Sequence, residues 1–114
     1  MADVSVNDGE VTIKLTRVEK VLALHGDLVF PRRAVRAVSV VERAMFQVKG
    51  LRVPGTGLPF ILLAGRFVSP AAITFALCRG RGRGLVIDID TPDFQRVILT
   101  HPHPEAIRAL LVGH

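Results

Sequence analysis

The sequence predicts a mainly β fold of the α+β class, with about seven antiparallel strands and a closing C-terminal α-helix. Two observations predict the strands: short alternating apolar segments recur along the chain, and turns rich in glycine and proline separate them. A third observation, an amphipathic segment after Pro104, predicts the helix. Short strands joined by short turns favour a sandwich or a partly open barrel, with the helix across an open end or one sheet face.

The first predicted elements are a strand and a short helix. Residues Glu10–Leu15 alternate between apolar and polar and predict a strand. Thr16 and Glu19 then form a capping-box pattern, which predicts a helix from Arg17 to about Leu24. A strand stays the alternative for Val21–Leu24. Four apolar residues share one face of this helix: Val18, Val21, Leu22 and Leu24.

The middle of the chain predicts two strands and a long loop. Asp27–Phe30 predicts a short strand that Pro31 stops, because proline cannot donate to a ladder. Val35–Glu42 is rich in β-branched residues and predicts a longer strand. Arg43–Lys49 is ambiguous and is compatible with one helical turn. Three glycines and two prolines within Gly50–Pro59 predict a loop without regular structure.

The second half predicts a run of strands before the final helix. The glycine-rich segment Arg79–Gly84 predicts a hairpin connection. Pro104 suits the first turn of a helix, and Glu105 beside it suits the positive end of the helix dipole. The helix carries an apolar stripe formed by Ala106, Ile107, Leu110 and Leu111. The predicted strands are Phe60–Val68, Ala72–Cys78, Leu85–Asp90 and Phe94–Thr100.

Length and cysteine content bound the class of protein. One hundred and fourteen residues fit one domain, 1–114, with a core from about 10 to 112. The single cysteine, Cys78, excludes an intrachain disulfide and agrees with a reducing compartment. The acidic, polar N-terminus lacks the features of a signal peptide, and no apolar run reaches the ~18 residues of a membrane-spanning helix. We therefore expect a cytoplasmic protein, with peripheral membrane contact as an option.

The composition indicates binding to a partner rather than a catalytic reaction. The chain is 49% hydrophobic and has a net charge of +5, with twelve arginines against three lysines. Apolar surface left exposed after folding would favour self-association. A basic balance suggests nucleic acid, an anionic lipid surface or an acidic protein as partner. Genomic base composition is an alternative cause of the arginine excess.

Several segments resemble a known family. The chain resembles small actinobacterial proteins of the bacterial pleckstrin-homology-like type. The resemblance is carried by the segments Thr16–Pro31, Ala34–Val38, Lys49–Pro59 and Val86–Asp90, and by the His-Pro-Glu-Ala start of the last helix. The resemblance runs from about residue 10 to 112. It implies a seven-strand bent barrel capped by a helix and does not imply phosphoinositide binding. Some similar domains assemble into rings.

The most specific part of the resemblance is also the candidate interaction loop. The segment Gly50–Pro59 is flanked by Phe46, where the family often has tryptophan, and by Phe60, where it often has glycine. Prolines fix the shape of such a loop, glycines allow close approach, and apolar residues supply burial. We predict a non-catalytic interaction module that self-associates or docks on a protein partner. Its candidate residues are Phe46, Leu51, Arg52, Pro54, Leu58 and Phe60.

Two arginine clusters offer an alternative, which is anion recognition. Guanidinium groups can hold phosphates bidentately, although a solvated hairpin tip also explains the glycine-alternating cluster. Anionic lipid ranks ahead of nucleic acid, because the chain lacks tryptophan and tyrosine for base stacking. Four phenylalanines are predicted to pack inward: Phe30, Phe67, Phe75 and Phe94. The candidate anion-binding residues are Arg79, Arg81, Arg83, Arg32, Arg33 and Arg36.

The patterns that could carry catalysis are incomplete. Asp88 and Asp90 after an apolar strand resemble the first motif of haloacid-dehalogenase-type phosphatases. Only 23 residues follow Thr91 and none is lysine, so two outward carboxylates are the favoured interpretation. His101 and His103 have too few accompanying ligands for zinc. We therefore predict no catalytic residues, no cofactor and no metal, and a buried, inert Cys78.

Overall fold

The computed structural model describes residues 3–48, 51–58, 62–80 and 82–112, and only the backbone within 51–58. In these ranges the chain forms nine β-strands and two α-helices. The strands are β1 Asp3–Asn7, β2 Glu10–Lys14, β3 Leu28–Pro31, β4 Val35–Val41, β5 Leu51–Leu58, β6 Leu62–Val68, β7 Ile73–Arg79, β8 Gly84–Ile89 and β9 Arg96–Thr100. The helices are α1 Arg17–Ala23 and α2 Pro104–Val112.

The strands form two sheets. The smaller sheet has the order β1-β2-β3 and is antiparallel throughout. The larger one has six strands in the order β4-β8-β9-β7-β6-β5. The mainly β prediction with a C-terminal helix is confirmed. The seven-strand bent barrel that the resemblance implies is wrong, because the nine described strands form two separate sheets.

The connection after β7 is not the predicted hairpin. Strand β9 lies between β7 and β8, parallel to β7 from Thr74↔Arg96 to Leu77↔Leu99 and antiparallel to β8. Parallel neighbours need a connection that returns the chain to the same end of the sheet. Strand β8 and its two turns provide that return. Alternation therefore identified Leu85, Ile87 and Ile89 correctly as the inward residues of β8, whereas the predicted pairing of β7 with β8 is wrong.

Strand β1 was not predicted, although the chain carries a signal for it. Val4 and Val6 alternate with polar residues and pack partly buried against the core. The turn between β1 and β2 has positive φ at Asp8 (51°) and Gly9 (75°). An Asp-Gly pair with this conformation between alternating segments is a strong hairpin signal.

The predicted loop Gly50–Pro59 is mostly a strand, so that prediction is wrong. Strand β5 occupies Leu51–Leu58, and β6 is the one described strand that pairs with it. Its register shifts between Arg52 and Gly55, the interval that contains Pro54. A proline is tolerated at a bulge or on an edge strand, since no neighbour needs its missing N–H group.

The main core lies on the inner face of the larger sheet, beneath the smaller one. Alternate residues of β7 and β8 point into it, among them Phe75, Leu77, Leu85 and Ile87. A second, smaller cluster lies on the opposite face of the large sheet, where the 3₁₀ turn Ala44–Gln47 packs on β7, β8 and β9. The four phenylalanines predicted to point inward are all buried.

Local sequence signals account for both helices. In α1 the Glu19 N–H donates to Thr16 Oγ1 (3.2 Å), and the Thr16 N–H donates to Glu19 Oε1 (2.8 Å). This is the predicted capping box. Helix α2 begins at Pro104 as predicted and packs on β4, β1 and β8. Among the described residues, neither helix is long and apolar enough to cross a membrane.

Candidate interaction surfaces

The outward face of α1 is apolar. Glu19 and Ala23 are buried at 1% and 2% exposure, and α1 packs them toward β5 and β6. Val18, Val21 and Leu24 are instead 59%, 71% and 64% exposed. An apolar helical stripe normally faces the core. Here Glu19 and Ala23 face inward, and the stripe faces solvent.

Basic residues accompany this stripe. Arg17 is exposed and stands one helical turn before Val21, on the same side of α1. Lys14, at the end of β2, is also exposed. Lys20 lies 3.6 Å from the Asp27 carboxylate. Together, Arg17, Val18, Val21 and Leu24 make up the outward face of α1.

Phe46 is the described part of the predicted interaction loop. Its ring is 45% exposed, and the Arg43 guanidinium lies 5.7 Å from the ring centroid, a cation–π geometry. Four other candidates belong to β5, and their side chains lie outside the described residues, as does Phe60. These four are Leu51, Arg52, Pro54 and Leu58. The loop surface thus remains a prediction, now centred on an edge strand.

The first arginine cluster, Arg32, Arg33 and Arg36, mostly forms contacts within the protein. Arg36 forms an ion pair with Asp90 at 2.9 Å. The Arg32 Nε donates to the Leu111 carbonyl in the last turn of α2 (3.2 Å). Arg33 is exposed. The cluster therefore offers less uncompensated positive charge than its sequence indicates.

The second cluster comprises Arg79, Arg81 and Arg83. Its member Arg83 lies at the start of α2, whereas Arg32 of the first cluster contacts the last turn of α2. The Arg83 guanidinium contacts the carboxylates of Glu105, at the start of α2, and Glu42. The Glu105 contact raises the pKa of Arg83. Arg79 is exposed and lines a cleft of about 320 Å³ with Arg83 and His101, while Arg81 lies outside the described residues. Since Arg32 and Arg83 contact opposite ends of α2, the described members of the two clusters do not form one patch.

The two carboxylates of the phosphatase-like pattern are both paired. Asp88 Oδ1 accepts from Arg96 Nε at 2.9 Å across the β8–β9 ladder, and Asp90 pairs with Arg36. Such pairing gives each carboxylate a structural partner. Neither geometry resembles two carboxylates that share a reacting group.

The histidine pair is arranged as a turn. The His103 N–H donates to His101 Nδ1 at 2.9 Å, which leaves Nε2 to carry the ring proton of neutral His101. Burial, and then the nearby His103, lower the pKa of His101. Within the described ranges, His, Cys, Asp and Glu side chains nowhere gather as the three or more ligands a metal ion needs.

Comparisons with known proteins leave the geometry as the guide to function. No protein-family model matches this chain, and no curated protein or solved structure matches it either.

Proposed function

We propose that this chain is a non-catalytic interaction module that docks peripherally on an anionic lipid surface through the outward face of α1. The observation that carries the proposal is the exposure of Val18, Val21 and Leu24, beside the exposed Arg17. Apolar side chains can enter the boundary between headgroups and acyl chains while a neighbouring arginine extends to the phosphates.

The magnitudes support a weak, reversible contact. Partial insertion of an exposed valine or leucine contributes roughly 1 kcal/mol, and a basic residue near an anionic surface contributes about 1 kcal/mol. Three apolar residues with Arg17 therefore supply on the order of 4 kcal/mol. That is comparable with the marginal anchoring by a single acyl chain.

The size of the face favours lipid over a rigid protein partner. A stable protein interface covers about 800 Å² on each partner, with good shape complementarity. One outward face of a seven-residue helix is much smaller than that. A lipid surface requires no shape complementarity, and each inserted side chain contributes separately to the binding free energy.

The test is sedimentation of the protein with vesicles of phosphatidylcholine alone and of phosphatidylcholine mixed with phosphatidylglycerol. We expect binding to the mixed vesicles that weakens with salt. The double variant Val21→Asp with Leu24→Asp should abolish it. The double variant Leu110→Asp with Val112→Asp is the matched control, because both residues are exposed on α2, at 43% and 48%, and together receive the same charge.

A second pair of variants separates the two sources of positive charge. Arg17→Ser should weaken binding, and Arg79→Ser, at an exposed arginine of the predicted anion cluster, should not. If only Arg79→Ser weakened binding, anion recognition by the arginine clusters would replace the α1 proposal. Absence of binding to both vesicle types would refute both.

Self-association through Phe46 is the second candidate, supported by the 45% exposure of its ring. The resemblance to pleckstrin-homology-like proteins, some of which form rings, also favours this candidate. Light scattering after size-exclusion chromatography would detect the oligomer. Phe46→Ala and Phe60→Asp should each lower its mass, and a protein that stays monomeric at all concentrations would eliminate this candidate.

A further inference from the structure

A groove follows the edge of β3 that no described strand pairs with. One cleft of about 530 Å³ lies between β3 and the turn that contains Asp90 and Thr91, and extends to Arg33. A second cleft of about 250 Å³ continues it toward His25 and Phe94. The two clefts share Val29, Phe30, Thr91 and Asp93. They therefore form one continuous depression between the two sheets.

The backbone edge that lines this groove is unused in the described structure. Strand β3 pairs with β2 on one side, and no described strand pairs with its other side. By contrast, α2 packs on the edge strands β1 and β4, and Arg108 Nε donates to the Val38 carbonyl of β4 at 3.3 Å. Proteins commonly cover their edge strands. An edge left beside a groove is suited to a ligand strand.

The opposite wall of the groove is braced. Thr91 Oγ1 donates to the Phe94 carbonyl at 2.7 Å and accepts from the Phe94 N–H at 3.2 Å. The Gln95 side chain donates to the Thr91 carbonyl at 3.2 Å. These bonds hold the turn in place without a ligand, so binding would order few additional groups.

The lining sets the chemistry of the ligand. Phe30, Ile89 and Phe94 form the floor of the groove but are at most 5% exposed, so Val29, at 54% exposure, supplies most of the accessible apolar surface. Both Arg33 and Asp93 are exposed, and the described residues provide neither with an ion-pair partner. An alternating apolar segment that carries one acidic and one basic side chain complements this surface.

We propose that this groove binds an extended peptide segment of another protein, which adds as a strand to β3. Main-chain hydrogen bonds to β3 would hold the segment, and alternate side chains would enter the groove. The four residues of β3 offer an edge about 13 Å long at ~3.3 Å per residue, which suits a segment of four or five residues.

The test uses the full chain and a capped synthetic peptide of alternating valine and threonine, with glutamate at one end and lysine at the other. Amide NMR spectra should show shifts of Val29, Phe30 and Thr91, with slowed hydrogen exchange at the Val29 amide, whose N–H points away from β2 in the β2–β3 register. Replacement of the central valine of the peptide by proline should weaken binding at least about tenfold, because proline cannot donate to the ladder.

Variants of the protein locate the site. Arg33→Glu should weaken binding about tenfold and should be rescued by a peptide whose glutamate is replaced by lysine. Arg79→Glu, at an exposed arginine outside the groove, should leave binding unchanged. Shifts confined to other residues, or unchanged binding of the proline peptide, would overturn the proposal. So would concentration-dependent protection of β3 without peptide, since a second copy would then occupy the edge.

Discussion

Gly84 lies directly against the Leu99 carbonyl, so closely that a Cβ on Gly84 would be 1.9 Å from that oxygen. The same Cβ would also lie 2.8 Å from the Ala44 Cβ. Gly84 opens β8 and pairs there with Thr100 of β9. The absence of a side chain therefore permits the close approach of β8, β9 and the 3₁₀ turn at Ala44.

Gly84→Ala should destabilise the fold strongly, because the Leu99 backbone cannot move without breaking the β8–β9 ladder. We expect a loss of roughly 3 kcal/mol or more in the free energy of unfolding, at the upper end for overpacking. Urea denaturation measures it. Gly82→Ala is the matched control, since a Cβ at Gly82 meets no atom within 4 Å. Equal midpoints for the two variants would contradict this packing.

The sequence could predict most elements of the fold but not how they pair. Alternation marked Ile73, Phe75 and Leu77 as one face of β7, and the capping box marked the start of α1. The parallel neighbour of β7 depends on contacts with distant residues, which a local pattern does not contain. Strand β5 was missed because glycine and proline are read as turn signals, whereas an edge strand with a bulge tolerates both.

The candidate surfaces were predictable to a smaller extent. Arginine clusters are visible in a sequence, but their ion-pair partners are not. Arg36 pairs with Asp90, which lies 54 residues away, and Arg83 pairs with Glu105, which lies 22 residues away. The shared face of Val18, Val21 and Leu24 is visible in the sequence. Its exposure depends on the packing of the opposite side of α1 on β5 and β6, which a local pattern does not contain.

Thr16→Ala should loosen α1, because the Glu19 N–H then lacks its side-chain acceptor. We expect a loss of about 1 kcal/mol in the free energy of unfolding and faster hydrogen exchange in α1. Thr16→Ser keeps the hydroxyl and should behave as the wild type. If α1 also forms the lipid-docking face, Thr16→Ala should weaken vesicle binding. Identical hydrogen exchange in Thr16→Ala and wild type would show that the cap does not stabilise this helix.

Asp27 should make stability depend on pH in the acidic range. The Leu15 N–H donates to Asp27 Oδ1 at 2.8 Å, and this bond, with Lys20 nearby, lowers the pKa of Asp27 below 3.8. A lowered carboxyl pKa stabilises the fold above the unfolded-state value, and that stabilisation is lost as pH falls through the folded-state value.

The measurement is the urea midpoint of the wild type and of Asp27→Asn between about pH 7 and pH 3. We expect the wild type to be the more stable at neutral pH and the difference to shrink on acidification. Asp93→Asn, at an exposed carboxylate without a described ion pair, is the control for the loss of one carboxylate. A difference that stays constant across the range would mean that the Asp27 charge contributes nothing.

Cys78 should be unreactive in the native protein. Its side chain is fully buried, its Sγ lies 3.7 Å from the Ile98 carbonyl, and burial raises its pKa to about 12. At about pH 8 the thiolate fraction is then on the order of one in ten thousand, against roughly a quarter for an exposed thiol. Alkylation should therefore be at least about a thousandfold slower in the folded protein than in urea.

Because Cys78 is the only cysteine, any rapid labelling under native conditions would arise from this thiol. It would mean that the packing of the 3₁₀ turn over β7 opens readily.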